Sequence, residues 1–295
     1  AAAGNHHILM VGEPGSGKSM LARRLTGIMP ELTPEEALEV AMVYSLADMP
    51  GTGGICKERP FREVHHSISA VALVGGSTRA KPGEISLAHR GVLFMDELPE
   101  FDRRVLDQMR QPLETGEINI SRASARVTYP ARFLLVAAMN PCRCGHVSRD
   151  RGVCVRGPKC AAEYQSRISG PLLDRFDIRI EVPPVSADVL GLPCHGESSA
   201  KVARRVADAR GVQFERTGRA PRTNAELEGA ALEHVARPDQ PGQYMLQEAA
   251  EKFQYTARGY HRVLRLARTL ADLDGSVGVN KRHVAEAVGY RRQMA

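Results

Sequence analysis

A glycine-rich loop set between an apolar strand and a helix constrains the fold of this chain more than any other sequence feature. Residues 7–11 have the length and apolarity of a buried parallel strand, and residues 20–29 follow with a helical pattern. The octet between them, Gly12-Glu-Pro-Gly-Ser-Gly-Lys-Ser19, matches the P-loop, whose backbone N–H groups curl around phosphates. A plain turn with a surface lysine is the alternative interpretation, but the flanking strand and helix favour a phosphate site.

The loop assigns roles to two side chains. In a P-loop the lysine, here Lys18, reaches the β and γ phosphates of a nucleotide, and the hydroxyl of Ser19 binds Mg²⁺. We therefore predict ATP and Mg²⁺ as cofactors. The predicted nucleotide-binding residues are Gly12, Glu13, Pro14, Gly15, Ser16, Gly17, Lys18, Ser19 and Met20.

Two further apolar strands end in polar residues that phosphoryl transfer needs. Residues 92–95 lead into Asp96, which would hold Mg²⁺ largely through water, and Glu97, which would polarise the attacking water as the general base. Residues 133–139 lead into Asn140, placed where the γ phosphate and that water would lie. An acidic strand end is common by itself, and Asn140 could simply begin a turn before a proline. Together with the P-loop, these strand ends predict one catalytic site.

The arrangement of apolar segments predicts two domains. Strands separated by helical segments, with a further strand at 178–182, indicate an α/β fold with a parallel sheet. After Pro183-Pro184 the pattern turns helical. We therefore predict an α/β nucleotide-binding core over residues 1–188 and a helical domain over 189–295. The predicted helices of the second domain are 200–210, 223–236, 244–253, 257–273 and 281–289.

The composition limits the class of protein. Hydrophobic residues make up 43% and charged residues 25% of the 295 residues, which is typical of a soluble globular chain. The formal net charge of +6 permits a polyanionic partner. Because the chain has neither a run of about 20 apolar residues nor a signal peptide, we predict a cytoplasmic protein with no membrane partner. The first five residues run directly into a strand, so we expect a domain cut from a longer protein.

With these features in place, the chain resembles the AAA+ ATPases, and within them the ComM/YifB branch of the magnesium-chelatase-like group. The resemblance covers nearly the whole chain. It implies a three-layer P-loop core with a parallel sheet, followed by an α-helical lid domain. The stretches that carry it are RAKPGEISLAHRGVLFMDELPEF at 79–101, NPCRCG at 140–145, SGPLLDRFD at 169–177 and ARGYHRVLRLARTLADL at 257–273.

The resemblance also implies roles for three polar residues. It makes Asn140 the sensor 1 residue, Arg175 an arginine finger, and Arg258 the sensor 2 arginine that reports the γ phosphate to the lid. An arginine finger acts on the nucleotide of a neighbouring subunit and is worth about 10³ to 10⁵ in rate. The resemblance therefore implies self-association into a ring, which in this family is a hexamer.

Plainer interpretations of both arginines stay open. Arg175 could form an ion pair with Asp174 or Asp177, its neighbours in sequence. Arg258 could lie on a solvated helix face, and Arg262, one turn further along the same predicted helix, is the rival candidate for sensor 2. These alternatives predict different contacts for the two side chains.

A segment before the third strand is predicted to be a β-hairpin. Residues 114–130 alternate as two short strands around 122–125, where the family places its pre-sensor 1 hairpin. In related ring helicases such hairpins face the central pore, so Arg122 and Arg126 could contact the phosphates of DNA. Solvated hairpin charges are the alternative.

A second segment, residues 59–88, is predicted to be an insertion into the core. It holds the adjacent histidines His65 and His66, which at first suggest a metal site. Neighbouring side chains of one element point in different directions, so a shared ligand role is disfavoured. We predict instead that these histidines pack at a surface or an interface.

Four cysteines fall in a short loop rich in arginine and glycine, residues 141–161. Four thiolates suffice for a closed tetrahedral zinc site, and zinc would order a loop with little apolar material to fold around. Related chains carry two tight Cys-x-Cys pairs and a proline where this chain has Arg143, so free thiols are the alternative, and His146 could replace one cysteine. The predicted zinc ligands are Cys142, Cys144, Cys154 and Cys160.

Three functions are compatible with these sequence motifs. The first is an ATP-driven hexameric DNA helicase or branch-migration factor, acting on single-stranded or branched DNA in natural transformation or recombination, as the resemblance implies. The second is a magnesium-chelatase-type ATPase subunit that remodels a protein partner. The third is a switch in which nucleotide binding only controls association, and Glu97 argues against it because a pure switch needs no general base.

Overall fold

A five-stranded parallel sheet organises the amino-terminal part of the computed structural model, which describes residues 1–49, 55–76, 80–122, 125–145, 154, 158–185, 196–217 and 223–291. Short apolar runs make its central strands, because a parallel sheet is covered on both faces and its strands are buried throughout their length. The strands, in chain order, are β1 (Ile8–Val11), β2 (Phe61–Val64), β3 (Val92–Met95), β4 (Glu117–Arg122), β5 (Ala125–Pro130), β6 (Leu134–Met139) and β7 (Ile178–Glu181).

The sheet has the strand order β2-β3-β6-β1-β7, and β4 pairs with β5 in a separate antiparallel hairpin. The sequence predicted β1, β3, β6 and β7 to within one residue at each end, and it predicted the hairpin. The α/β fold class is confirmed. The prediction for residues 59–88 was wrong in part, because β2 lies in the sheet beside β3 rather than in an insertion. As an edge strand β2 tolerates the polar residues Arg62 and Glu63, so it lacks an apolar run.

Helices connect the strands of the α/β core. The longest of them, α2, begins where the side chain of Thr33 and that of Glu36 bond each other's backbone N–H groups, with Pro34 at the first helical position. The helices described in the core are α1 (Lys18–Arg24), α2 (Pro34–Leu46), α3 (Ala70–Val74), α4 (Glu84–Leu87), α5 (Arg103–Gln108), α6 (Pro112–Thr115), α7 (Pro158–Gln165) and α8 (Gly170–Leu173).

The carboxyl-terminal part is helical, as predicted. The described helices there are α9 (Ser199–Thr217), α10 (Gly229–Val235), α11 (Gln240–Lys252), α12 (Ala257–Leu273) and α13 (Lys281–Gly289). The last two have their predicted bounds, whereas α9 continues well beyond its predicted end. None of the helices described is both long and apolar enough to cross a membrane. The predicted domain boundary at 188 and 189 lies outside the described residues, so this division stays a prediction.

Apolar side chains pack against both faces of the sheet. Residues of β1 alternate between them, with Ile8 and Met10 on one face and Leu9 and Val11 on the other. The face that holds Ile8 shares one continuous core with the helical region, for example through Val263 of α12. The helical region is therefore packed on the α/β core and not merely linked to it.

Candidate nucleotide site

The P-loop follows β1 directly, and its glycines set its shape. Gly15 and Gly17 have φ values of +79° and +87°, which side-chain-bearing residues rarely adopt. Gly12 has no room for a side chain, because a Cβ there would lie 2.3 Å from the carbonyl oxygen of Val182. The loop backbone therefore curls at the carboxyl edge of the sheet, where α/β proteins bind their ligands.

Lys18 lies inside this loop. Its Nζ donates to the carbonyl oxygens of Gly12 and Glu13 at 2.8 and 2.9 Å, and to Oδ1 of Asn140 at 3.3 Å. Burial lowers the pKa of the Lys18 ammonium group, although the nearby carboxylate of Asp96 acts in the opposite direction. The structure thus brings Lys18 and Asn140 together, across the neighbouring ends of β1 and β6.

Ser19 and Asp96 meet where a magnesium ion is predicted. Ser19 Oγ donates to Asp96 Oδ2 at 2.7 Å, and the other oxygen of Asp96 accepts the backbone N–H of Glu97 at 2.9 Å. A hydroxyl and a carboxylate are oxygen ligands of the kind that Mg²⁺ prefers, with water and phosphate oxygens completing its octahedron. The chemistry of this pair therefore fits the predicted metal.

Glu97 has a strained backbone and an unexpected neighbour. Its φ is +50°, an unfavourable conformation for a residue with a side chain, and such strain concentrates at functional sites. His66 Nδ1 lies 3.6 Å from Glu97 Oε2. The sequence placed His66 in surface or interface packing and gave no sign of this contact, because the register of the unpredicted strand β2 sets it. The imidazole ring of His66 also packs edge-on against the ring of Phe101.

The remaining loop residues leave room for phosphates. Ser16 Oγ is buried and has no hydrogen-bond partner among the described residues, which favours a ligand oxygen beside it. A Cβ built at Gly15 meets no atom within 4 Å, so this side of the loop is open. Met20, at the first turn of α1, is half exposed, with its methyl group near Gly17. These observations fit a bound nucleotide.

Arg175 pairs with neither of the aspartates beside it in sequence. Its Nη2 donates to Glu114 Oε2 at 2.9 Å, and its Nη1 donates to the carbonyl oxygen of Pro171 at 2.7 Å. The side chain is 8% exposed. A role as an arginine finger would therefore require Glu114 to release it.

Arg258 shares the same carboxylate. Its Nη2 lies 2.5 Å from Glu114 Oε1, and its side chain is 67% exposed. The rival Arg262 is instead held by Asp177, with 2.6 Å between Nη1 and Oδ1. Burial alone would raise the pKa of Asp177, but Arg262 and His6 outweigh it and hold that pKa well below its ordinary value. Arg262 is thus held in an ion pair with a buried carboxylate, and the side chain of Arg258 is the more exposed of the two.

The two candidate arginines lie at the sheet edge opposite the P-loop. Asp177 immediately precedes β7, which runs parallel to β1, whereas the P-loop follows the far end of β1. Four strand residues span about 10 Å. The resemblance made Arg258 the sensor 2 arginine, which reports the γ phosphate to the lid, and this role stays a prediction. In this chain α12 approaches the amino end of β7, where its Arg262 pairs with Asp177.

A basic cavity of about 1110 Å³ opens at this edge, between the core and the helical region. Its walls combine residues that flank the amino ends of β1 and β7 with the first turns of α12. The arginines that line it include Arg132, Arg175, Arg179, Arg258, Arg262 and Arg265.

The four predicted zinc ligands converge. Their sulfur atoms all lie within 4.8 Å of one another, and Cys144 Sγ is 3.7 Å from both Cys154 Sγ and Cys160 Sγ. Cys142, Cys154 and Cys160 are buried, and Cys144 is exposed. The alternative ligand His146 lies outside the described residues.

The predicted hairpin has one buried and one exposed face. Ile118 and Ile120 are buried, and Tyr129 is anchored through its hydroxyl, which donates to the carbonyl oxygen of Ala80 at 2.9 Å. Arg126 is exposed, and its Nε donates to Ser121 Oγ at 3.4 Å. The hairpin is therefore fixed to the core by one face and presents Arg126 on the other.

Two sequence families match the chain. Residues 1–190 match the family described as Magnesium chelatase, subunit ChlI, and residues 196–291 match Magnesium chelatase, subunit ChlI C-terminal. Together the two matches cover nearly the whole sequence.

The chain is also similar in sequence to individual proteins. The chain is 49% identical to Competence protein ComM of Haemophilus influenzae over 99% of its length and 45% identical to the uncharacterized protein YifB of Escherichia coli over 98%. It is 26% identical to the Magnesium-chelatase 38 kDa subunit of Rhodobacter capsulatus over 94% of its length and 77% of that subunit. The chain spans 56% of the length of the first two relatives.

Proposed function

The chain belongs to the magnesium chelatase subunit ChlI family and is a ComM/YifB-like ATPase of the AAA+ type, and from this premise we propose that it is the motor part of a DNA helicase or branch-migration factor. The observation that carries the catalytic half of this proposal is the meeting of Lys18, Ser19, Asp96 and Asn140 at one edge of the sheet. In the proposed reaction, ATP and water give ADP and phosphate.

The residues of the chain divide the work of hydrolysis. Lys18 binds the β and γ phosphates, and Ser19 and Asp96 hold Mg²⁺, whose charge would offset that of the phosphates. Glu97 takes a proton from the attacking water, and Asn140 orients that water toward the γ phosphate. The exposure of Glu97 lets water reach its carboxylate.

We propose that Arg175 and Arg258 complete the site of a neighbouring subunit. Both lie at the opposite sheet edge from their own P-loop and share Glu114, so one face of a subunit would deliver both to the nucleotide of the next. A head-to-tail interface of this kind closes into a ring when the rotation between subunits closes. A hexamer is the ring that the family resemblance favours.

Three observations support DNA as the substrate of this motor. The chain has a formal net charge of +6, its hairpin presents Arg126 outward, and its relative in Haemophilus influenzae is named a competence protein. Exposed arginines bind phosphates without regard to sequence, as a motor that moves along DNA requires. We therefore place its role in natural transformation or recombination, on single-stranded or branched DNA.

The decisive experiment compares ATP turnover of the full-length protein alone, with single-stranded DNA, with duplex and with a four-way junction. A branch-migration assay on a fluorescent junction accompanies it, and Glu97→Gln serves as the catalytically dead control. Stimulation by junction or single strand together with junction movement supports the proposal. Turnover that ignores every DNA, with no binding to branched DNA, refutes the role on DNA and leaves the ATPase intact.

The family itself supports a second candidate. The similarity to a magnesium-chelatase subunit raises an ATPase that remodels a protein partner instead of DNA. This candidate predicts that a partner protein, and not DNA, stimulates turnover. The same turnover assay with and without DNA separates the two, because each predicts a different activator.

We also propose that the chain divides into an α/β core over residues 1–188 and a helical lid domain over 189–295. The separate family matches to 1–190 and 196–291 support this division. Limited proteolysis tests it, since cleavage concentrates where few contacts cross between domains. Release of a stable fragment ending near residue 188 is the expected result.

A further inference from the structure

We propose that Cys142, Cys144, Cys154 and Cys160 bind one zinc ion, and that this ion holds the nucleotide site in its working shape. The second half of the proposal rests on the ATPase function proposed above, and the first half does not. The four residues are the group among the described residues in which at least three potential ligands converge.

Two of the distances between the sulfur atoms match the edge of a zinc–thiolate tetrahedron and are too long for a disulfide bond. With a zinc–sulfur bond of about 2.3 Å, the edge of a ZnS₄ tetrahedron is about 3.8 Å. Cys144 Sγ lies 3.7 Å from Cys154 Sγ and from Cys160 Sγ. A disulfide would bring two sulfur atoms to about 2.05 Å. Four sulfur atoms arranged in this way suit a soft, tetrahedral metal better than an oxygen-seeking one.

One ligand lies close in sequence to the residue proposed as the γ-phosphate sensor. Cys142 is two residues beyond Asn140, with only Pro141 between them, and its side chain is fully buried. The carbonyl oxygen of Pro141 also accepts a hydrogen bond from Gln165 Nε2 of α7 at 3.4 Å. A metal at Cys142 would therefore fix the direction in which the end of β6 presents Asn140.

The same turn touches the P-loop. The N–H of Gly145 donates to the carbonyl oxygen of Cys142 at 3.0 Å, which folds residues 142–145 into a tight turn. A Cβ at Gly145 would lie 2.9 Å from Pro14 Cγ, so the turn and the P-loop are in close contact. Gly145 also has a φ of +81°, a second reason for glycine there. The metal-binding turn thus supports the loop that surrounds Lys18.

A third connection reaches the segment after Glu97. Cys160 lies in α7, and Arg167 follows that helix. Arg167 Nη1 donates to the carbonyl oxygen of Pro99 at 3.2 Å and to Glu100 Oε2 at 2.9 Å. One metal ion would consequently stabilise three segments at once. These are the turn after Asn140, the contact with the P-loop, and the segment that follows Glu97.

The metal has a physical task here that packing cannot perform. The buried apolar cluster around the cysteines consists of three of those cysteines with Ala161 against them, too little to order a loop. Zinc binding supplies that free energy instead, as it does in small metal-stabilised domains. Misplacing a catalytic group by 1 Å can cost about 100-fold in rate, so losing the ion should reduce kcat by about 10- to 100-fold.

The metal content of the purified full-length protein tests the first half. We expect about one zinc per chain in wild type and in Cys56→Ser, whose cysteine is exposed and outside the cluster, and none in Cys160→Ser. Cobalt in place of zinc should give the visible absorption of a tetrahedral thiolate site. Metal-free protein that also fails to bind cobalt, or a bound iron–sulfur cluster, would overturn the zinc assignment.

Removal and return of zinc test the second half. A chelator should lower kcat for ATP with a smaller change in KM, zinc should restore it, and Cys160→Ser should remain low after zinc is added. Restoration by zinc separates positioning from simple unfolding, and circular dichroism checks that the variant is folded. Zinc that is bound but whose removal leaves kcat unchanged sinks the positioning role. Wild type that binds zinc yet hydrolyses no ATP refutes instead the ATPase function.

Discussion

Glu114 binds Arg258 across the boundary between the α/β core and the helical region, with 2.5 Å between Oε1 and Nη2. The other oxygen of the same carboxylate accepts a hydrogen bond from Arg175 at 2.9 Å. One carboxylate therefore holds both candidate arginines, on a face that their own P-loop does not share. In the proposed ring, a site completed by the next subunit would give this arrangement a function.

Mixing two inactive variants tests that arrangement. Arg175→Ala keeps its own Glu97 and lacks the arginine, and Glu97→Gln keeps the arginine and lacks the base. When equal amounts are mixed, about a quarter of the composite sites contain both intact residues, because each site draws on two subunits at random. We expect ATP turnover to recover toward that fraction. Turnover no greater than the sum of the separate variants would show that Arg175 does not act between subunits.

Glu97→Gln should bind ATP and Mg²⁺ but hydrolyse ATP about 10² to 10⁴ times more slowly, because the amide cannot accept the proton of the attacking water. Steady-state turnover and binding of a fluorescent nucleotide measure the two effects. Glu35→Gln, an exposed glutamate in the first turn of α2, is the matched control and should keep full activity. Normal turnover by Glu97→Gln would remove Glu97 from the catalytic assignment.

His66→Ala should lower kcat about two- to tenfold and leave the KM for ATP nearly unchanged. The reason is positional, because His66 Nδ1 lies 3.6 Å from Glu97 Oε2 and restricts the orientations of the general base. His234→Ala, an exposed histidine on α10, controls for the loss of a surface imidazole. An equal effect of both substitutions, or a change confined to KM, would contradict a contact that acts through Glu97.

Arg126→Ala should weaken DNA binding and reduce by about one the slope of log affinity against log salt concentration, since one phosphate contact is lost. The effect should be similar for DNA of different sequences. Arg103→Ala removes an exposed arginine from α5, outside the hairpin, and is expected to leave the slope unchanged. Identical salt slopes for Arg126→Ala and wild type would remove this residue from the DNA contact.

The free energy of unfolding should fall as the pH drops from about 6.5 to about 4. Burial lowers the pKa of His7 and His89 from 6.5 to about 4, and Nδ1 of each ring accepts a backbone N–H, from Leu135 and Arg132 respectively. The unfolded chain therefore takes up protons first, which destabilises the folded chain over this window. For His89 the loss is up to about 3 kcal/mol.

Urea unfolding at several pH values between about 7.5 and 4.5 measures this loss. In His89→Gln the dependence on pH should be shallower, because the glutamine does not titrate. The exposed His234→Gln should unfold with the wild-type dependence. A flat profile in wild type would show that these rings are not held neutral in the folded chain.

The sequence predicted the elements whose signal is local. Strands β1, β3 and β6 are continuous apolar runs because both faces of a parallel sheet are covered, and helices α12 and α13 have matching predicted and observed bounds. Strand β2 was not predicted, because an edge strand contains polar residues and so lacks a continuous apolar run. The break between Asn224–Glu226 and Gly229–Val235 was not predicted either, since both pieces share one helical pattern.

The contacts that position the site depended on tertiary packing instead. Glu114 and Arg258 are 144 residues apart, and no local pattern marks a carboxylate that will meet an arginine from another region. The contact between His66 and Glu97 depends on a strand that the sequence did not predict. By contrast, the P-loop motif alone located Lys18. The backbone conformation of that loop requires glycines at fixed positions, and these are visible in the sequence.

Strand β1 connects the two edges of the molecule that matter here. The N–H of His7 donates to Asp177 at 3.1 Å, Asp177 pairs with Arg262 of α12, and at the other end Val11 leads into the P-loop. A strand bonded to neighbours on both sides can tilt or shift as a unit, but it cannot lengthen. A rotation of the helical region would therefore reach the phosphate loop as a rigid displacement. In a ring, movement at the interface with one neighbour would therefore change how the P-loop of each subunit contacts its own nucleotide.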